Sequence, residues 1–344
     1  MNIKRIIKRI EWIDLLKGSC MLAVILSHTD PPESIRLLYA PFFLSAFFFA
    51  SGYTFSLKKT FGNFLKAKIE GILVPLVWLS LINGVVGIFK GVPFYVRLLG
   101  IVIQRAGGYE SLWFLACLFT CEFLFYIIVK FSNNLRTILI CSHICGGGAF
   151  VYIRLVGVAL PWQFELACIA LIFVSWGLAF RLNENTFEFI EDNKAILFLV
   201  VLYCLLCILF NNDANMHDER FGIEILYIIE AFLGILALVG ICRKIKKNKL
   251  LSFIGTHSIV YFAFQGQLIK VTKVTLGKVG LSHEVFICFV SAFIATVVLS
   301  VVAYVIYKYL PFIVGKETLI ETKERLKNIK MIGGRERGKN ENLN

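Results

Sequence analysis

Charged side chains are scarce in this chain. Of its 344 residues 17% are Asp, Glu, Lys or Arg, against about 25% in soluble globular domains. That scarcity excludes an ordinary water-soluble enzyme, and 58% of the residues are apolar or aromatic. A cleavable leader is also lacking: the basic start Lys4, Arg5, Lys8, Arg9 runs into a segment that holds charges and has no small-residue cleavage site. The first apolar segment is therefore expected to remain as an anchor. The ten cysteines form no disulfide framework, because Cys20, Cys117, Cys121, Cys168, Cys204, Cys207, Cys242 and Cys288 lie inside apolar runs. There Cys packs as a small hydrophobe. Cys141-Ser142-His143-Ile144-Cys145 has metal-ligating residue types, but a closed zinc site takes about four ligands and no partner cluster follows. No metal is expected. Internal repeats strong enough for a transporter built of two halves are absent, and no soluble domain is expected beside the membrane part.

What is present is a series of apolar runs of bilayer-crossing length. They cover residues 12–29, 36–57, 72–89, 111–130, 137–153, 163–180, 195–210, 222–242, 251–269 and 285–308. The expected fold is an all-α membrane protein, a bundle of about ten transmembrane helices over residues 1–315. A basic, partly disordered tail is expected over 316–344. The fifth run is the weakest, since Gly146-Gly147-Gly148 interrupts it and Arg154 closes it. Segment 94–103 is short and carries Arg97, which fits an interfacial or re-entrant helix. Basic clusters precede run one, follow run two (Lys58, Lys59, Lys66, Lys68), follow run eight (Arg243 to Lys249) and fill the tail. With ten spans these clusters share one side, which the positive-inside rule makes cytoplasmic, both termini included. The net charge of +13 then reflects topology and attraction to anionic membrane lipids, with no nucleic-acid partner.

The first run carries the chemistry. Asp14, Lys17 and His28 lie along one helix, and eleven steps at about 100° each return His28 to nearly the face of Lys17, roughly 16 Å further on. Ionisable groups inside a bilayer cost at least ~2.5 kcal/mol on insertion scales and so mark function by default. An imidazole can take a proton from a hydroxyl and return it to a leaving thiolate; the alternative is an interfacial His at a helix end. Lys17 can meet phosphates or a donor carbonyl, or can snorkel to the interface beside Asp14. Asp14 neutralises and positions Lys17 in this reading.

Five motifs, in order, resemble the acyltransferase-3 family of integral membrane O-acyltransferases. They are Arg9 to Gly18 with Lys17 and His28; Pro41-Phe42-Phe43 with Phe47 to Tyr53, including Ser51-Gly52; Lys66-Ala67-Lys68 to Pro75; Leu112-Trp113-Phe114-Leu115; and Gly255-Thr256-His257-Ser258 to Tyr261. Many members place a His four residues after that Tyr, where this chain has Gln265. An amide does not exchange protons as an imidazole does, but Gln265 can hydrogen-bond a substrate. The resemblance implies transfer of an acyl group, usually acetyl, from acyl-CoA to a hydroxyl of a cell-surface glycan or lipid-linked sugar at the bacterial cytoplasmic membrane. Acetyl-CoA is then a co-substrate and no cofactor is bound. A rival of another class is a transporter or flippase of a polysaccharide precursor.

On that footing His28 is the expected general base, Asp14 completes the catalytic set beside Lys17, and Lys17, Lys66 and Lys68 are the expected donor-binding cations. Ser51 can be a nucleophile, but no partner base stands near it in sequence, so close helix packing at Ser51-Gly52 is favoured. Arg105, Glu110 and Arg154 are expected on the outer side, where they can line an acceptor site, and Trp113 reads as an interface or packing aromatic. Glu122, in mid-span, must face the protein interior or a polar cavity rather than lipid.

Overall fold

Backbone amides in a bilayer find no water, so apolar runs must close their hydrogen bonds within helices. The computed structural model of the chain describes residues 10–87, 93–105, 112–278 and 283–325. It is 81% helical, with no strand among those residues. The helices are α1 (Glu11–Ser27), α2 (Glu33–Arg36), α3 (Ser45–Thr54), α4 (Phe61–Lys68), α5 (Val74–Gly87), α6 (Phe94–Ile103) and α7 (Trp113–Phe131). After them come α8 (Leu135–Leu155), α9 (Phe164–Leu182), α10 (Asn193–Phe210), α11 (Glu224–Ile245), α12 (Lys249–Thr256), α13 (Ser258–Lys278) and α14 (Glu284–Tyr309).

Six stretches among the described residues are long and apolar enough to cross a bilayer: α7, α8, Pro161–Leu182, α10, α11 and α14. The chain is thus a multi-pass membrane protein, but the expected ten full-length spans are not all seen. Run one is a helix of 17 residues. Run two is interrupted by turns over 37–44, which contain Pro41, leaving α3 only 10 residues long. Run three opens as a π-turn over Ile69–Leu73. Pro75 lacks the N–H that would bond the Gly71 carbonyl, and its ring crowds that carbonyl, so the helix widens there. Run nine divides at His257 into α12 and α13, and α13 carries Lys270, Lys273 and Lys278. The fifth run, expected to be the weakest, is an unbroken helix of 21 residues. Gly146 nests against Ile172 and the Cys168 carbonyl, while Gly147 and Gly148 meet open space. The short apolar α6 matches the segment read as interfacial.

Burial orders the bundle. The apolar window of Pro161–Leu182 is 83% buried, against 17% for α10 and 22% for α14, so α9 is central and the other two are peripheral. Helix α3 crosses α9 so closely that a Cβ at Gly52 would strike the Val174 carbonyl, and one at Gly177 the Phe49 carbonyl. Helix α12 seats on α1 in the same way, with Gly18 under Leu251 and Gly255 under Asp14.

The two ends of α1 are marked by long-range ion pairs. Glu11 at its start lies 3.7 Å from Lys247, and Arg36, beyond its end, lies 2.9 Å from Asp213. The ten cysteines are free thiols, and the His143 Nε2 accepts the Trp176 indole N–H at 3.2 Å. The start of the expected tail is packed: Thr322 is buried and Arg325 pairs with Glu317 at 3.1 Å. The basic start and the rest of the tail lie outside the described residues.

Candidate active site

His28 caps the C-terminus of α1, its backbone N–H bonded to Ile25 and Leu26. The ring Nδ1 lies 2.9 Å from the Val24 carbonyl oxygen. A carbonyl only accepts, so Nδ1 carries the proton and Nε2 presents a lone pair. Facing that lone pair, at 3.4 Å, is the amide nitrogen of Gln265 on α13. The residue is exposed, yet the backbone after it is tied down. The Thr29 carbonyl accepts from Lys273 Nζ at 3.0 Å and from Cys288 Sγ at 3.0 Å. Lys273 also pairs with Asp30 at 2.9 Å. Helix α13 is braced from α5 in turn, with Asn83 donating to the Ala263 carbonyl at 2.9 Å and accepting from Gln267 at 3.2 Å.

At the other end of α1, Lys17 stands where the charges of Asp14, Glu122, Lys68 and Lys316 are felt at its ammonium. Beside it is a buried network that joins three elements. Ser51 from α3 donates to Glu122 from α7, and Lys68 at the end of α4 lies 2.5 Å from the other carboxylate oxygen. Glu122 is 4% exposed, so its charge is matched inside the protein, as the interior-facing expectation requires. The partner of Ser51 that the local sequence lacks is therefore Glu122, which already serves an ion pair. Lys66 is not brought in: it reaches outward to Glu70 at 3.9 Å, with 74% of its side chain exposed. Lys17 and Lys68 gather; Lys66 does not.

The remaining candidates divide similarly. Arg105 donates to the Ala159 carbonyl at 2.5 Å and Arg154 lies 3.4 Å from Glu224. Both thus brace the loop after α8 and the start of α11, and neither is joined to His28. Glu110 lies outside the described residues. Trp113 is buried at the start of α7, edge-on to Phe114 and His217. Near the start of α1, Arg243 lies 5.0 Å from both the Trp12 and Phe180 ring centres and pairs with Glu184 at 2.8 Å and Glu191 at 3.1 Å. Trp12, Glu184, Glu191 and Arg243 border a cleft of about 380 Å³. In the sequence Arg243 is one of a basic cluster that signals topology, and His217 lies in a loop with no accompanying constellation. The one cue for Arg243 was its nearness to an apolar helix end.

An apolar bundle with cations gathered at one end of a helix and a lone-pair imidazole at the other defines a membrane protein built around an intramembrane polar site. The family model of the acyltransferase-3 domain, an acyltransferase domain, matches residues 10–305. The chain belongs to that family and is an integral membrane acyltransferase. No curated protein and no solved structure matches it.

Proposed function

We propose that the protein is an O-acetyltransferase of the bacterial inner membrane, with both termini cytoplasmic. It moves an acetyl group from acetyl-CoA to a hydroxyl of a cell-surface glycan or lipid-linked sugar. The observation that carries this reading is the tautomer of His28: Nδ1 is committed to the Val24 carbonyl, which leaves Nε2 a base at an exposed position.

Acetyl-CoA enters at the Lys17 end, where Lys17 and Lys68 attract its phosphates. The thioester then has to reach roughly 16 Å along α1, a span suited to an extended pantetheine arm. His28 Nε2 takes the proton of the acceptor hydroxyl as its oxygen bonds the acetyl carbonyl carbon. The C–S bond breaks, and the proton passes to the departing thiolate to give free CoA. If the acetyl group first visits an enzyme residue, the same imidazole serves the second transfer.

Purified protein in lipid vesicles, supplied with acetyl-labelled acetyl-CoA and de-O-acetylated surface polysaccharide, tests this. The label is expected in base-labile esters on the polysaccharide. An intact thioester, with polysaccharide moved across the bilayer, would overturn the reading in favour of a transporter or flippase.

A further inference from the structure

The loop between α10 and α11 is a built element. Asn215 and Arg220 exchange backbone hydrogen bonds of 2.7 and 3.0 Å. The Asn215 side-chain oxygen accepts the N–H groups of His217 and Asp218 at 3.1 and 3.3 Å. This turn presents His217, whose Nδ1 lies 2.8 Å from Asp218 Oδ1. The other Asp218 oxygen accepts from Asn215 at 2.7 Å and from Arg220 at 3.1 Å. Arg220 continues to Asp213 at 2.5 Å, and Asp213 to Arg36 at 2.9 Å. A chain of alternating charges therefore ties the imidazole to the segment that follows His28.

Aromatic contacts make a second connection to the same place. The His217 ring meets Trp113 at 5.3 Å between centroids, 71° apart. Trp113 adjoins Phe114 at 5.8 Å, and Phe114 packs on Phe262 at 5.4 Å. Phe262 sits about one turn before Gln265 on α13, the residue that faces His28. A carboxylate accepts only, so Nδ1 of His217 carries the proton and Nε2 is an acceptor. Among the described residues no hydrogen bond uses Nε2, and 48% of the side chain is exposed.

We propose that His217, held by Asp218 against the edge of Trp113, is an acceptor-binding residue whose Nε2 takes a hydrogen bond from one hydroxyl of a polyhydroxylated substrate while another is presented to His28. The inference deepens the proposed acetyl transfer and rests on it. It adds one requirement to the sugar acceptor already proposed: a second hydroxyl, which a simple alcohol lacks. No requirement in the transfer chemistry itself demands a second imidazole, so its value lies in choosing and orienting the acceptor.

Full-length protein in lipid vesicles is assayed with acetyl-labelled acetyl-CoA and the de-O-acetylated surface polysaccharide, and polysaccharide binding is measured separately by calorimetry. His217→Ala is expected to raise the KM for the polysaccharide about tenfold, the loss of roughly one hydrogen bond, with the KM for acetyl-CoA changed less than about twofold. His217→Gln, whose amide oxygen can accept where Nε2 did, should recover part of the loss. An unchanged polysaccharide KM in both variants overturns the proposal, and so does a parallel rise in both KM values. Should His217→Ala fail to fold, Asp218→Asn, which keeps an oxygen for Nδ1–H but no charge, must raise the polysaccharide KM by a smaller factor or the proposal falls. Wild-type protein that binds the polysaccharide without consuming acetyl-CoA refutes the transferase reading instead, and one that neither binds nor acetylates it refutes both.

Discussion

The amide nitrogen of Gln265 lies 3.4 Å from Nε2 of His28, across 237 residues of chain. An amide can serve both states of the ring. Its N–H donates to neutral Nε2, and after a half-turn its oxygen accepts from the protonated ring. Among the described residues the buried Gln265 oxygen has no partner in the present orientation, so the turn leaves it better satisfied. Gln265 thus fits a positioning role in the place where many family members carry His.

His28→Ala and His28→Gln should each lower acetyl transfer by about 10²–10⁴-fold, the range of a general base, in protein that still inserts in the membrane. Gln265→Ala should cost less, about tenfold in kcat, and Gln265→His should restore part of it. Steady-state labelling of the glycan measures all four. Near-wild-type transfer by His28→Gln would remove the imidazole from the mechanism.

Lys17 separates donor binding from structure. Lys17→Ala should raise the KM for acetyl-CoA about tenfold and leave acceptor binding alone, while Lys17→Arg keeps part of the affinity because the charge remains. If donor affinity by calorimetry is unchanged while activity is lost, Lys17 is a structural counter-ion to Asp14 and Glu122.

The Ser51–Glu122–Lys68 network should contribute to stability besides placing Lys68 for the donor. Glu122→Leu leaves Lys68 facing a desolvated gap and should destabilise by about 3 kcal/mol, the low end for a broken buried pair, since Lys68 keeps 23% of its side-chain exposure. Glu122→Leu combined with Lys68→Met should recover most of that loss, as read by thermal unfolding in detergent. Ser51→Ala removes one hydrogen bond, about 1 kcal/mol, and should retain transfer. Abolished transfer in folded Ser51→Ala protein would revive the nucleophile.

Asp218 predicts a pH dependence. Burial alone raises its carboxyl pKa, but hydrogen bonds and charge from His217 and Arg220 outweigh burial and hold it below the usual carboxylate range. A depressed acid stabilises the folded loop above its unfolded pKa, about 3.9. That contribution disappears as pH falls through the folded value. The melting temperature of Asp218→Asn should therefore lie below wild type near pH ~7, and the gap should narrow as pH falls below the unfolded pKa of about 3.9 and on through the depressed folded value. An equal gap throughout would mean that ionisation of Asp218 does not support the loop.

Composition and hydropathy are sums over neighbouring residues, and a bilayer judges segments by those sums. The helical membrane class and the polarity of the first helix were legible for that reason. Asp14, Lys17 and His28 share one short helix, so their alignment needs only its pitch. The family motifs are likewise runs of adjacent residues, and together they identified an acyltransferase.

Tertiary structure alone decided the partners. Ser51 meets Glu122 across 71 residues and His28 meets Gln265 across 237, and no local pattern encodes either. Such pairs depend on how closely helices approach, which turns on steric fits such as Gly52 beneath the Val174 carbonyl. The same packing decided which apolar runs became long helices. Glycines 146 to 148 cost α8 nothing visible because Gly146 seats on α9, while run two broke at the turns around Pro41 and buried a short α3 against that same central helix. Hydropathy counts apolar residues along the chain. It cannot register that a neighbouring helix has taken the place of lipid.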